Sequence, residues 1–488
     1  MAELNYAERL AALAAAHPNA PMLTVLDRTG AEIETLTWGD ADRRANRLAN
    51  GLAAAGLRPA DYMTIALPNS AGFVISCLAA WKLGAVPQPV SSALPEPEMD
   101  AIVELAESRA VIGVPPERYP GRICLDAAGL DFEDQPASPP PPALSPAWKA
   151  PTSGGSTGRP KLIVSGDPAL YDPDDTGLSE AAGFAAGGVT LMPGPLYHNG
   201  PFIWVFTQLL VDGHVVVLSR FDAETTLTAL AHYRADIVYL VPTMMSRIWK
   251  LPANIRETLD LSALRRVWHL AAPCPEWLKR AWIEWLGPER IFELYGGTEA
   301  QAFTMLDGTE WLSHPGSVGR VASGEIRILD ADGQAVPDGT VGEVYMRPEP
   351  GRVPYYYRGA TPRQLDGGWE SLGDMGWTDA DGFLYLADRR TDMILSGGAN
   401  VYPAEIEAAL EAHPAVRSCA VIGLPDDDLG QVAHAIVEAE GLDAEALDSF
   451  VGARLARYKC PRTYEFVTEP LRDDAGKVRR SSLREARV

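Results

Sequence analysis

The residues best suited to chemistry are gathered at 152–161, Thr-Ser-Gly-Gly-Ser-Thr-Gly-Arg-Pro-Lys. Ser153, Ser156 and Thr157 offer hydroxyls, and Gly154, Gly155 and Gly158 let backbone amides approach an anion closely. Lys161 adds a point charge. That combination suits a polyphosphate. A Walker loop carries a second glycine directly before its lysine, and Pro160 stands there instead, so this nucleotide loop is of another type. Further along, Tyr295-Gly296-Gly297-Thr298-Glu299 follows an apolar run read as a strand, where a doubly wound sheet presents its ligands. A hard cation beside phosphate needs a carboxylate oxygen, which singles out Glu299; a helix N-cap is the alternative for Thr298.

These residues need a scaffold, and the chain alternates short apolar runs with helical patterns from about 40 to 300, the mark of parallel sheets covered by helices. Tyr62–Leu67, Ala85–Val90 and Ala110–Val114 read as strands, with helices at Phe73–Leu83 and Met99–Ser108. A second series has strands at Val189–Met192, His214–Leu218, Ile237–Leu240, Arg266–Leu270 and Ile291–Leu294, with helices at Asp222–Arg234 and Pro275–Trp285. Two doubly wound units in tandem are the expectation. The Pro-rich segment Pro136–Pro146 suits neither helix nor central strand and reads as a surface connection. Between about 311 and 388, Asp332-Gly333, Asp338-Gly339 and Asp381-Gly382 punctuate short β segments, pointing to a small barrel or antiparallel sheet. A compact α/β unit follows from about 390.

At 488 residues the chain exceeds one hydrophobic core, and its net charge of −23 repels nucleic acid and anionic membrane surfaces alike. Neither is expected as a partner. Five scattered cysteines, with no Cys-x-x-Cys or Cys/His cluster, fit idle thiols in a reducing compartment. Met1–Ala16 carries Glu3 and Glu8 where an export signal is basic, and no run of about 18 apolar residues occurs, so the cytoplasm is the expected location. The end of the chain differs: Ala453–Val488 holds ten Lys/Arg against five Asp/Glu, read either as ordinary solvated surface or as a local field for a polyphosphorylated ligand.

Five ordered pieces between about 150 and 480 resemble the adenylate-forming superfamily of acyl-CoA synthetases, peptide-synthetase adenylation domains and beetle luciferases. They are the loop Ser153–Lys161, Tyr295–Glu299, Leu372-Gly373-Asp374-Met375-Gly376, the run from Asp388 through Ser396-Gly397-Gly398 to Glu407, and Gly476-Lys477-Val478-Arg479. The resemblance implies that the first loop holds the β and γ phosphates of ATP. It further implies that Tyr295, beside Gly296 and Gly297, packs on adenine, that Thr298 binds phosphate, and that Glu299 helps hold Mg2+. Asp374 would accept the ribose hydroxyls, Arg389 would meet ribose or phosphate, and Gly397-Gly398 would border a pantetheine tunnel for CoA. Lys477 would bridge the substrate carboxylate and the α-phosphate, and a swivel would lie near Thr391. Three positions depart from the family pattern: Gly154 replaces a hydroxyl residue, Leu162 a glycine, and Thr391 an Asp or Lys.

The resemblance also implies the fold: α/β, with a large N-terminal domain (1–389) of two doubly wound α/β subdomains plus a small β-barrel, then a small mobile α/β C-terminal domain (390–488). Pro195-Leu196-Tyr197-His198-Asn199-Gly200 matches the segment that gates the carboxylate pocket, with His198 as an aromatic wall or carboxylate neighbour. No aspartate lies between Tyr197 and Leu210, which disfavours an amino-acid substrate. Phe202, Trp204, Met244, Met245, Trp249, Trp268, His269, Ala271, Ala272 and Phe303 are pocket or core candidates, and His269–Pro275 resembles the bile-acid-CoA ligase branch. The expected activity is ATP-dependent ligation of a hydrophobic, bulky carboxylic acid to CoA with AMP release. Loading of a carrier protein is the nearest alternative, and noncatalytic nucleotide or acyl binding is the alternative from another class; a homodimer is left open.

Overall fold

The computed structural model describes residues 3–154, 160–174, 177–396, 399–426, 428–473 and 476–488. Strands such as His214–Leu218 (HVVVL) are nearly continuous apolar runs because both faces of a helix-covered parallel sheet are buried. The first sheet orders Val86–Pro89, Tyr62–Ile65, Ala110–Ile112 and Ile123–Leu125, all parallel. Pro87 and Pro89 have no N–H for a ladder and occupy its edge strand.

The second sheet sets Ile291–Gly296, Arg266–His269, Ile237–Leu240, Val189–Met192, His214–Leu218 and Pro21–Leu26 side by side in parallel. Its last strand comes from the N-terminus, with Glu32–Thr37 antiparallel beyond it. The two units are therefore interleaved rather than strictly tandem. Pro21–Leu26 buries all but its first residue, between His214–Leu218 on one side and Glu32–Thr37 on the other. Helices Ala71–Lys82 and Asn199–Leu210 meet through Trp81, whose ring lies 6.3 Å from Phe202 and 4.8 Å from Phe206. Such edge-on aromatic pairs add about 0.5–1.5 kcal/mol each beyond their buried area and tie both sheets into one core.

From Phe303 onward the pairing turns antiparallel. Phe303–Asp307, Ser317–Ser323, Leu384–Arg389, Trp369–Thr378, Gly342–Arg347 and Glu325–Leu329 continue in one hydrogen-bonded series from Ile291–Gly296. The β segments expected here thus extend the edge of the second sheet. At their turns Gly333, Gly339 and Gly382 take φ of 77°, 78° and 79°, a region that a β-carbon strains.

The last unit pairs Ala399–Val401, Ile394–Ser396, Gly430–Ala439 and Val416–Asp426 antiparallel, and adds Thr463–Val467 parallel to Gly430–Ala439. Helices Pro403–Glu411 and Ala444–Gly452 close its core over Ile406, Leu410, Val421, Val437 and Leu447. Residues 136–146 form no helix or strand, and side-chain amides hold the chain there: Asn46 donates to the Ala137 carbonyl at 2.9 Å and Asn50 to Pro136 at 2.8 Å. The N-terminal amphipathic stretch is helix Tyr6–Ala16 with a reciprocal Asn5/Glu8 cap. All five cysteines are free, and no described helix is long and apolar enough to cross a membrane.

Candidate active site

Strands Thr152–Gly154, Pro160–Ser165 and Tyr355–Arg358 form a small antiparallel sheet that carries Lys161 opposite Ser153. The Lys161 ammonium donates to the Tyr357 hydroxyl at 2.8 Å and to Glu299 Oε1 at 3.2 Å. Tyr357 in turn donates to the same Glu299 oxygen at 2.5 Å. Burial, reinforced by the Glu299 charge, pushes the Tyr357 phenol pKa up, so it remains a donor. Glu299 is 5% exposed and sits in a turn between the antiparallel strands Ile291–Gly296 and Phe303–Asp307. No helix starts at Thr298, which removes the N-cap alternative. Gly155, Ser156, Thr157 and Gly158 lie outside the described residues, as do Gly397 and Gly398, while Ser153 and Gly154 are described in their backbone alone.

Toward the other sheet edge, Tyr295 donates its hydroxyl to Asp374 Oδ2 at 2.7 Å. Arg389 Nε approaches Asp374 Oδ1 at 3.4 Å because cross-strand register sets the two residues opposite each other. Gly296, Gly297, Thr298, Glu299 and Arg389 line a large cleft; the Tyr295–Asp374 pair stands beside its wall.

His198 precedes helix Asn199–Leu210 as its N-cap but makes no side-chain cap bond, and its buried Nε2 has no hydrogen-bond partner among the described residues. Burial, then the nearby Lys477 charge, lowers its pKa to about 3, so the imidazole is neutral. Of the apolar candidates, Trp204, Met244, Ala271 and Phe303 line the cleft. Phe202, Met245, Trp268 and His269 are core residues, almost completely buried. Successive positions of a helix face different ways, which is why Phe202 meets Trp81 while Trp204 meets the cavity.

The small C-terminal unit closes one side. Lys250 donates to the Val416 carbonyl at 2.5 Å, and Arg479 pairs with Glu98 at 3.4 Å. Between these contacts Gly476 takes φ +75°, and a β-carbon on it would lie 2.5 Å from Thr243 Oγ1. This tight approach brings Lys477 into the cleft wall, where it stays open to solvent; desolvation by the surrounding walls and then Arg389 lower its pKa while Asp473 and Glu299 raise it. The resulting cavity is about 3010 Å3. Single-ligand pockets run to roughly 1,000 Å3, so this one accommodates a nucleotide and a second substrate together.

Three polar residues of the site were not singled out by sequence. Tyr357 is one of three successive tyrosines, and Asn199 lies inside the quoted gate segment. Lys149, three residues before Thr152, is buried and donates to the Asn199 side chain. Proximity to the Gly-rich loop was its only available signal.

Over residues 10–357 the chain matches the family described as AMP-binding enzyme, and over 405–477 the AMP-binding enzyme C-terminal domain. It is 32% identical over 467 residues to a feruloyl-CoA synthase of an Amycolatopsis species, covering 92% of this chain and 93% of that protein. It is 30% identical over 474 residues to the long-chain-fatty-acid–CoA ligase FadD13 of Mycobacterium tuberculosis, covering 92% and 93%. The solved structure of the o-succinylbenzoate CoA synthetase MenE of Bacillus subtilis with the acyl-adenylate OSB-AMP superposes with a TM-score of 0.84 at 25% identity, covering 100% of this chain and 99% of that one. The same protein with ATP and a magnesium ion superposes at 0.83 with 25% identity, covering 99% and 100%.

Proposed function

We propose, for a chain that belongs to the AMP-binding enzyme family, that it adenylates a hydrophobic, bulky carboxylic acid and transfers the acyl group to coenzyme A. The observation that carries this reading is the convergence of Lys161, His198, Glu299 and Lys477, from distant parts of the chain, on one cleft.

A carboxylate is a poor acyl donor because its oxygen leaves badly. Its oxygen therefore first attacks the α-phosphorus of ATP, the bond to the bridging oxygen breaks, and pyrophosphate departs. The CoA thiol, having lost its proton, then attacks the acyl carbonyl, and AMP leaves with the electron pair. Charge accumulates on phosphate oxygens in the first step, and Lys161 and Lys477 meet it from two sides. Glu299 would hold Mg2+, which supplies further neutralisation at the phosphates; one buried carboxylate beside a phosphate lysine fits a cation that takes few protein oxygens. Neutral His198 walls the carboxylate, while Asp374 and Arg389 serve the ribose side. For the second step the unit 390–488 turns about Thr391, withdrawing Lys477 and bringing Gly397-Gly398 to the pantetheine arm.

Trp204, Met244, Ala271 and Phe303 support an apolar, roomy acid pocket. The reading places the enzyme in the cytoplasm, with CoA rather than a carrier protein as acceptor; a homodimer is separable from a monomer by sedimentation. The test is AMP and pyrophosphate release with ATP, Mg2+ and a panel of aliphatic, aryl and polycyclic acids, with and without CoA. Acid-dependent pyrophosphate and CoA-dependent thioester support the ligase. Pyrophosphate without thioester directs the acyl group to a carrier protein, and silence across the panel returns the chain to a binding role.

A further inference from the structure

Lys149 has no part in the reaction described above, yet it is 6% exposed and lines the same cleft. The other buried lysines have carboxylate partners: Lys82 meets Asp42 at 2.7 Å and Lys279 meets Glu293 at 2.5 Å. Lys149 forms no ion pair among the described residues. Its ammonium donates to the neutral Asn199 side chain and lies 4.8 Å from the Trp148 ring centroid. Asp167 and Glu299 act on it only through space. A buried cation without a counter-charge is costly, and one hydrogen bond leaves two of its three donor positions for a ligand.

The surroundings sharpen the point. Asn199 opens a 12-residue helix, whose N-terminus carries partial positive charge of its own. Beside it the buried Nε2 of His198 has no hydrogen-bond partner among the described residues. An ammonium and a helix N-terminus side by side both favour an anion between them. From this point Asn199, Ile203 and Thr207 line the cleft at helical spacing, so a wall runs roughly 12 Å away from the positive mouth.

We propose that Lys149 and the N-terminus of helix Asn199–Leu210 form an oxyanion subsite that receives the carboxylate of the acid substrate, with the hydrocarbon body lying along Ile203 and Thr207. The inference rests on the ligase reading. Burial lowers the pKa of Lys149 to about 7 against the upward pull of Asp167 and Glu299, and an arriving carboxylate stabilises its charged form. A phosphate of ATP has the same oxyanion chemistry, and the kinetic arms separate the two sources.

The experiment measures pyrophosphate release by wild type, Lys149→Met and Lys149→Arg. Octanoate, cinnamate and cholate are varied at saturating ATP and Mg2+, then ATP is varied at saturating acid, with Tm recorded for each protein. Lys149→Met should raise KM for the acid roughly 10–100-fold, the loss of one charge-assisted hydrogen bond, with KM for ATP within about twofold and substantial recovery in Lys149→Arg. A rise confined to KM for ATP puts a phosphate at Lys149 and overturns the assignment. A lower kcat and Tm with both KM values unchanged reduces Lys149 to a structural partner of Asn199. Acid-dependent release that is indifferent to Lys149→Met defeats the inference alone, whereas wild-type silence with all three acids defeats the ligase reading and the inference with it.

Discussion

Lys161 and Lys477 present ammonium groups to one cleft but are held differently. Lys161 is tied to Glu299 and Tyr357 before any ligand arrives, whereas Lys477 depends on how the small unit is docked. If Lys477 acts only in adenylation, Lys477→Ala should slow pyrophosphate exchange about 10²–10³-fold, roughly 3–4 kcal/mol of transition-state stabilisation. Thioester formation from supplied acyl-adenylate should survive, and its loss would contradict a two-step division of labour. Glu299→Gln keeps the shape and an acceptor oxygen while removing the charge. Half-saturating Mg2+ should rise about tenfold in a titration at fixed ATP, and an unchanged titration removes Glu299 from the metal.

At the scale of elements, the docking of the C-terminal segment is decided by backbone rather than by surface charge. Gly476 combines φ +75° with a β-carbon position 2.5 Å from Thr243 Oγ1, so Gly476→Ala meets both backbone strain and a clash. Strain alone costs about 1–2 kcal/mol, and adenylation should fall roughly tenfold or more while the thioester step is spared. The exposed Arg479–Glu98 pair is worth about 0–1 kcal/mol, so Arg479→Ala should change the same rate less than about fivefold. Equal effects of the two substitutions would reverse this ranking.

For the whole molecule, several histidines are folded in neutral form. Burial lowers His198 to about 3 and His214 to about 4, and holds His269 well below its usual value. Below pH 6.5 the unfolded chain takes up protons that these folded sites refuse, so stability falls as pH falls toward 4. Each such site contributes up to about 1.4 kcal/mol per pH unit in that window. Tm should drop between pH 7 and 5, and His214→Gln should flatten the slope; a wild-type Tm that is level across the range would show that other groups compensate.

Strands Val189–Met192, His214–Leu218 and Ile237–Leu240 were legible residue for residue, because parallel strands under helices leave short apolar runs bounded by polar or turn residues. The Gly-rich loop, the choice of Glu299 as a candidate cation ligand and the family resemblance were also read from local sequence. Tertiary structure alone decided that Pro21–Leu26 crosses into the second sheet and that Tyr295 bonds Asp374. It also decided that Tyr357 reaches Glu299 and that Lys149 is buried with no ion pair among the described residues. A residue's type and periodicity report the face it prefers, and so sequence by itself identified which groups are fit for phosphate and acyl chemistry. Which partner each group meets is set by pairings between distant segments, and a lysine written as a surface residue becomes a buried charge only when those segments close around it.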